Sequence, residues 1–433
     1  ETHAAETHRW SFGAASTARP RTAARRQPVI QTQTPDCDAL IVGAGMIGSA
    51  CALALARQGL DVSVIDRDHL NQNAKAEPRR VSAINLASEN ILKRLEVWDE
   101  ILASLPQTFE RIEVQDEGSS GTISFDAADL GLTHLGHIIS NEAMTRALHH
   151  SLDEKQRVFL RFGQAPTAIA SSDSSVTVTL KTGEMISARI LIGADGANSR
   201  VRELAGITHQ ESSYDHMAIV ATVKPELPHA CCARQRFLER GPLAFLPLAN
   251  NECSIVWSAD TEKAEQLLAL EDEAFALELA EAFEHRLGSI QKVSPRAKFP
   301  LVRRHAVNYI GERIALIGDA AHTVHPLAGL GANQGFADAA TLFEVISNAS
   351  LQNRDLASRS VLRRYERWRR GENALVLRVM DGFHGLFGTD NPAVSRLRGL
   401  GLNLTDNAPL IKETLVRYAV GLEGDLPRLA HMP

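Results

Sequence analysis

Three short stretches hold residue types at spacings that suit a nucleotide cofactor. The first is Gly43-Ala-Gly45-Met-Ile-Gly48. In a strand–turn–helix unit the first glycine allows a tight turn. The second brings the backbone close to a pyrophosphate, and the third lets the helix pack against the strand. Amide groups at the helix N-terminus then face the negative charge. Asp66 stands 18 residues beyond Gly48 (66 − 48), where a carboxylate accepts hydrogen bonds from the adenosine ribose. The second stretch is Gly193-Ala-Asp195-Gly196-Ala-Asn198-Ser199-Arg200-Val-Arg202, behind the apolar run Ile190 to Ile192. Its composition alone fits a polar cofactor loop and an ordinary turn equally well. The third is Gly318-Asp319-Ala-Ala-His322-Thr-Val-His325-Pro326, continuing to Gly329-Leu330-Gly331-Ala-Asn333-Gln334-Gly335. A strand delivers Asp319, and a glycine-rich loop of this kind cradles a phosphate or the edge of a cofactor ring through backbone amides.

Other reactive residue types carry plainer readings. His322 and His325 suit packing and loop capping beside a cofactor better than acid–base work. They offer no metal site, because no third ligand falls at a recognisable spacing. Ser199 lacks the G-x-S-x-G elbow of a nucleophile. Arg80 stands either on the surface or near a cofactor phosphate. Trp98 and Trp257 read as core. Arg363-Arg364-Tyr-Glu-Arg367-Trp-Arg369-Arg370 reads as a solvated helical face that could also meet anionic headgroups. Five cysteines with no C-x-x-C pair read as reduced thiols, neither a disulfide frame nor a zinc site.

The elements that must position these residues alternate between strand and helix. Asp38 to Val42 and Val62 to Asp66 read as buried strands, and residues 47 to 58 as the helix between them, capped at Gly59. Ala39 to Ala56 carries no charge and is long enough to suggest a membrane span, but its glycines favour the strand–turn–helix unit. Residues 82 to 104 read as helix. Short strands follow at Thr122 to Phe125, Val176 to Leu180, Ala218 to Val223 and Cys253 to Trp257. Residues 261 to 287 read as amphipathic helix, Arg313 to Gly318 as a buried strand, and helices start near Gly331 and at 358. Leu375, Val376, Val379, Met380, Phe383, Leu386 and Phe387 form one apolar stripe, suited to packing or to a long apolar ligand or membrane. The expected fold class is α/β. A Rossmann-like nucleotide domain comprises 36–107 with 139–212 and 300–371. A sheet-rich substrate domain, 108–138 with 213–299, is inserted into it, and C-terminal helices occupy 372–433.

With 433 residues the chain is too long for one ordinary core, and a net charge of −6 gives no reason to expect nucleic acid as a partner. Residues 1–35 carry five arginines, no acid between Glu6 and Asp36, and no hydrophobic periodicity. They read as a disordered leader; the same composition also fits an organellar transit peptide.

Taken in order and spacing, the three motifs resemble the single-component FAD-dependent aromatic hydroxylases. The resemblance tightens to the ubiquinone-biosynthesis hydroxylases. It does so through Arg80-Val-Ser-Ala-Ile-Asn85, Val97-Trp98-Asp99, Leu135-Gly136-His137-Ile138, Leu243 to Pro247, Ser254 to Trp257 and His322 to Gly331. Within that family the octaprenylphenol hydroxylases, which act at ring carbon C5, look most similar. The resemblance implies roles residue by residue. Gly43, Gly45, Gly48 and Asp66 hold the pyrophosphate and ribose of FAD, and Arg80 reaches its phosphates. Asp195 and Gly196 serve FAD and the reduced nicotinamide. Asp319 binds the ribityl chain, Asn333 lies beside the flavin ring, and Gly329 and Gly331 also bind the cofactor; the loop from His325 to Asn333 flanks the flavin, with His325 and Pro326 as the catalytic candidates. The family has Gln where Leu330 stands, so contacts in that loop differ here.

The function so implied is hydroxylation of a polyprenylphenol. FAD is the cofactor, NADH or NADPH the reductant, and molecular oxygen the co-substrate. The flavin carries the hard chemistry, so the protein must position the ring and keep water out. The alternatives are another ubiquinone precursor or a small phenol, or a non-catalytic flavoprotein that supports a biosynthetic complex. Expected partners are the prenylated phenol, other ubiquinone-biosynthesis proteins, a peripheral membrane surface and a second copy of the chain. Expected locations are the cytoplasm and the face of the inner membrane, with the mitochondrial matrix as the alternative.

Overall fold

The computed structural model describes residues 34–69, 80–117, 119, 121–323, 330–387, 406 and 408–432. Strand β1 (Cys37–Val42) is buried at Ala39, Leu40 and Ile41, and runs parallel to β2 (Val62–Asp66) on one side and to Met185–Gly193 on the other. Strand Val158–Phe162 extends the sheet beyond β2, and Ile314–Leu316 extends it beyond Met185–Gly193, both in parallel. Such strands are covered on both faces, which explains their continuous apolar runs. Helix α1 (Met46–Arg57) connects β1 to β2 and is buried at every residue from Gly48 to Ala56. Its small side chains allow close packing against the helices Leu330–Leu351 and Asn141–Asp153. The uncharged stretch from Ala39 is therefore strand, turn and helix. Among the described residues no helix is long and apolar enough to cross a membrane.

A second sheet of nine strands is built around His209–Pro225, which pairs antiparallel with Cys253–Asp260 and Ala297–Ala306. Its own core joins Ile219, Phe245, Ile255 and Trp257 to Leu267, Phe275 and Leu279 of two covering helices. Those are Thr261–Ala269 and Asp272–Ala282. One continuous helix over 261 to 287 is thus corrected: Leu270 adopts an extended backbone and ends the first helix.

A three-stranded antiparallel sheet joins β3 (Val81–Asn85), Gly136–Ser140 and Gln107–Phe109. This corrects the helical reading of residues 82 to 104. Pairing with a distant strand draws 81–85 into extended form, and only then does α2 (Leu86–Arg94) begin. Its cap is Asn85, whose side chain accepts from Ser88 N at 3.0 Å. Helix Arg359–Phe387 closes the described nucleotide side.

Candidate functional site

The turn from β1 into α1 has the geometry that a pyrophosphate needs. Gly43 sits at φ +109°, and a Cβ there would lie 2.3 Å from the Ala194 carbonyl oxygen. A Cβ on Gly48 would lie 1.9 Å from the Gly43 carbonyl oxygen, so only glycine permits this approach of helix to turn. Gly45 is the reverse case: it is exposed, and a Cβ would meet nothing within 4 Å. Gly45 caps α1 without any side-chain hydrogen bond, and no acid occupies the first turn. The helix therefore presents its free N–H groups and the positive end of its dipole to open space, which is an anion site.

Asp66 closes this turn from the end of β2. Its Oδ2 accepts the Ala44 N–H at 2.6 Å, and its Oδ1 accepts the Asp68 N–H at 2.8 Å. A carboxylate has further lone pairs on each oxygen, so a ribose hydroxyl can still be accepted. His149, which the sequence reading passed over, faces the Ala44 carbonyl from the helix Asn141–Asp153, with Nε2 2.7 Å away.

Asp195 follows strand Met185–Gly193, beside β1. Its carboxylate accepts from Ser199 Oγ at 2.5 Å and from the N–H groups of Arg200 and Val201 at 2.7 and 3.1 Å. It thus caps the short helix Arg200–Leu204. Gly196 adopts φ +79° with open space around it. Arg202 is buried and donates to the carbonyls of Ala320 and Ala197, each at 2.9 Å. It therefore ties the second motif to the third.

The third motif crosses between sheets. Ile314–Leu316 belongs to the first sheet, whereas His322–Thr323 pairs with Arg304 and His305 of the second. Asp319 stands at this junction. It is exposed, yet enough protein surrounds it that burial raises its carboxyl, offset in part by His322, Arg80 and Arg304. Its accessible carboxylate thus stands where the two sheets meet. Arg80 is exposed, with its guanidinium 5.8 Å from the Phe299 ring centroid.

His322 is buried and faces Asp338 with Nε2 2.5 Å from Oδ2, which is the packing role expected of it. Asn333 is buried as well. Its Oδ1 accepts the Asn85 N–H at 3.0 Å and its Nδ2 donates to the Ala83 carbonyl at 2.8 Å, so it pins β3 to the helix Leu330–Leu351. A Cβ on Gly331 would meet nothing within 4 Å. His325, Pro326 and Gly329 lie outside the described residues, as do the side chains of Leu330, Phe383 and Phe387.

Two residues in the arginine run depart from the expected solvated face. Arg369 is 4% exposed, and Tyr365 is fully buried and donates to the Leu316 carbonyl at 2.7 Å. Helix Arg359–Phe387 packs this side against the strand and turn carrying Asp319. Trp98 and Trp257 are buried, and all five cysteines are free thiols.

These elements fit FAD: a free helix N-terminus, a carboxylate at the end of β2, and an enclosed carboxylate where the two sheets meet. Comparison with known proteins agrees. The FAD binding domain family matches residues 36–378. The 3-demethoxyubiquinol 3-hydroxylase of Escherichia coli is 38% identical over 88% of this chain and 98% of its own length. The mitochondrial ubiquinone biosynthesis monooxygenase COQ6 of Rattus norvegicus is 34% identical over 95% and 97%. The crystal structure of p-nitrophenol 4-monooxygenase from Pseudomonas putida superposes with a TM-score of 0.72 at 19% identity, covering 88% of this chain and 98% of that one, which shows the shared fold. The chain belongs to the family of FAD-dependent ubiquinone-biosynthesis hydroxylases, monooxygenases that act on aromatic rings.

Proposed function

We propose that this protein hydroxylates the ring of a polyprenylated phenol at C5 during ubiquinone synthesis, with NADH or NADPH as reductant. The observation that supports the flavin chemistry of this reading is Asp319, exposed at the junction of the two sheets; likeness to ubiquinone-biosynthesis hydroxylases supports the substrate class. Bound there, FAD would supply the activation of molecular oxygen. The chain's own residues bind, orient and seclude. The N–H groups of α1 hold the pyrophosphate, Asp66 the ribose, and Asp319 a hydroxyl of the ribityl chain. Asp195 shapes the loop on which Gly196 stands. Asn333 fixes the wall of β3, and His325 and Pro326 are the catalytic candidates in the loop proposed to flank the flavin. A substrate with a polyprenyl tail also implies action at a membrane surface, on the cytoplasmic face of the inner membrane or in the mitochondrial matrix.

The relative from Escherichia coli favours a second ring position, since its name specifies 3-hydroxylation of 3-demethoxyubiquinol. One experiment separates the two. The FAD-loaded protein is incubated with reductant, oxygen and either a prenylated phenol or a demethoxyubiquinol, and the products are read by mass spectrometry and ring NMR. Oxygen added at C5 of the phenol supports the proposal; oxygen added only to demethoxyubiquinol selects the second reading. Absence of added oxygen and of substrate-dependent oxygen consumption in both cases would leave a non-catalytic flavoprotein.

A further inference from the structure

Away from the cofactor cleft, three side chains from separate elements converge on one point. Glu89 lies in the first turn of α2, His134 in the loop before strand Gly136–Ser140, and His137 within that strand. The path of the chain explains the meeting. His137 lies opposite Ile84 in the pairing with β3, and α2 starts directly after β3 and folds back over the strand. Glu89 Oε2 is 2.9 Å from His134 Nε2 and 3.1 Å from His137 Nδ1. The three ligand atoms all lie within 4.8 Å of one another.

Two features set this cluster apart from an ordinary ion pair. His137 is buried, and its Nδ1 has no hydrogen bond: it is close to Oε2 but off the line that a hydrogen bond needs. A buried ring nitrogen that stands beside a carboxylate without a hydrogen bond to it is costly to leave so. His134 is oriented by its other nitrogen, since Nδ1 is 2.8 Å from Thr133 Oγ1. A metal-bound imidazole is held in this way, one nitrogen on the ion and the other hydrogen-bonded to a neighbour.

We propose that Glu89, His134 and His137 form a site for a divalent transition-metal ion of the zinc class. Two imidazoles and one carboxylate suit such an ion. Bonds of about 2.1 Å in a tetrahedron place ligand atoms roughly 3.4 Å apart, so the cluster needs only small adjustments. The fourth position opens beside His134, the most accessible of the three at 20% side-chain exposure, and takes water. Lys93 now lies 2.6 Å from Glu89 Oε1, the oxygen that faces away from the histidines. It is 40% exposed and free to swing into water when the ion binds. The ion clips α2 to strand Gly136–Ser140, next to the junction at Asn85 that Asn333 pins.

The test uses the full FAD-bound protein, stripped with a chelating resin, equilibrated with zinc sulfate and desalted. Metal and flavin are then measured together. One zinc per chain and a raised melting temperature are expected for the wild type. Affinity should fall at least about tenfold in His134→Asn and in Glu89→Gln, with flavin content unchanged. Cobalt should give a ligand-field spectrum that both variants lose. Wild-type protein that retains no zinc would overturn the proposal and leave a plain ion-pair cluster. So would equal retention by both variants, which assigns the metal elsewhere. His134 is partly exposed and Glu89→Gln keeps shape, so either variant alone suffices if the other fails to fold.

Discussion

Arg369 Nε donates to Asp338 Oδ1 at 2.8 Å, and both side chains are buried. The other carboxylate oxygen accepts the Gly318 N–H at 3.0 Å and faces His322. The buried ion pair therefore joins the helix Arg359–Phe387 to the helix Leu330–Leu351, and the Gly318 N–H ties the turn that presents Asp319 to the same carboxylate. Arg369 also donates to Gln334 and Asn373, at 2.6 and 2.9 Å, so the guanidinium is well satisfied.

Removing one partner of such a pair leaves a buried charge uncompensated. Arg369→Met should destabilise the protein by about 3–5 kcal/mol in urea unfolding. The double variant Arg369→Met, Asp338→Asn should recover part of that loss, because the stranded charge is gone. Burial raises the Asp338 carboxyl, but His322 and Arg369 outweigh it and hold it at about 2, below its ordinary 3.8. The stabilisation is thus complete above its unfolded pKa and is lost as pH falls from near 3.8 through 2. A double variant no more stable than Arg369→Met would show that Asp338 is not the charge left behind.

Asp319→Asn should weaken FAD binding while leaving the fold intact. Exchanging a charged acceptor for a neutral one at a ligand hydroxyl removes roughly 1.5–3 kcal/mol, about 10- to 150-fold in affinity. Flavin fluorescence titration reads this directly. Unchanged affinity would remove Asp319 from the cofactor site.

His305 gives the protein a pH dependence of the opposite chemical kind. Burial, then the charges of His322, Arg370 and Arg303, lower its pKa to about 4. Between about 6.5 and 4 the unfolded chain binds a proton at this position that the folded chain refuses. Stability must therefore fall as pH drops through that window. Melting temperatures from pH 7 to 4.5 should decline less steeply for His305→Gln than for the wild type. Parallel declines would assign the acid sensitivity to other groups.

Asn333→Leu should uncouple reductant use from hydroxylation. It leaves the Asn85 N–H and the Ala83 carbonyl without their partner on the helix Leu330–Leu351. These groups are half-buried, so each costs at most about 1–3 kcal/mol when unsatisfied, and the wall of β3 would loosen. The expected readout is more hydrogen peroxide per reductant oxidised, with FAD still bound. Coupling equal to the wild type would show that the wall does not seclude the reaction.

The sequence by itself determined the features that depend on near neighbours. Gly43, Gly45 and Gly48 are legible because a turn and a helix start are decided within six residues. Asp66 is legible because α1 spans a set length before β2. The buried strands near the motifs are legible as uninterrupted apolar runs. Only the tertiary structure decided the rest, because it depends on partners far along the chain. Residues 81–85 carry a pattern compatible with helix, and become a strand by pairing with 136–140. Arg369 looks like any charge in a solvated run until Asp338, 31 residues earlier, meets it in the core. Asp195 is legible as a polar loop residue, but that its carboxylate accepts the first N–H groups of the helix Arg200–Leu204 is visible only in the structure. Glu89 lies 45 and 48 residues from the histidines that it meets, a separation no ligand spacing encodes. Local periodicity sets which elements can form; burial and pairing with distant segments select among them, because that is where the desolvation cost of a charge or a free backbone group is met.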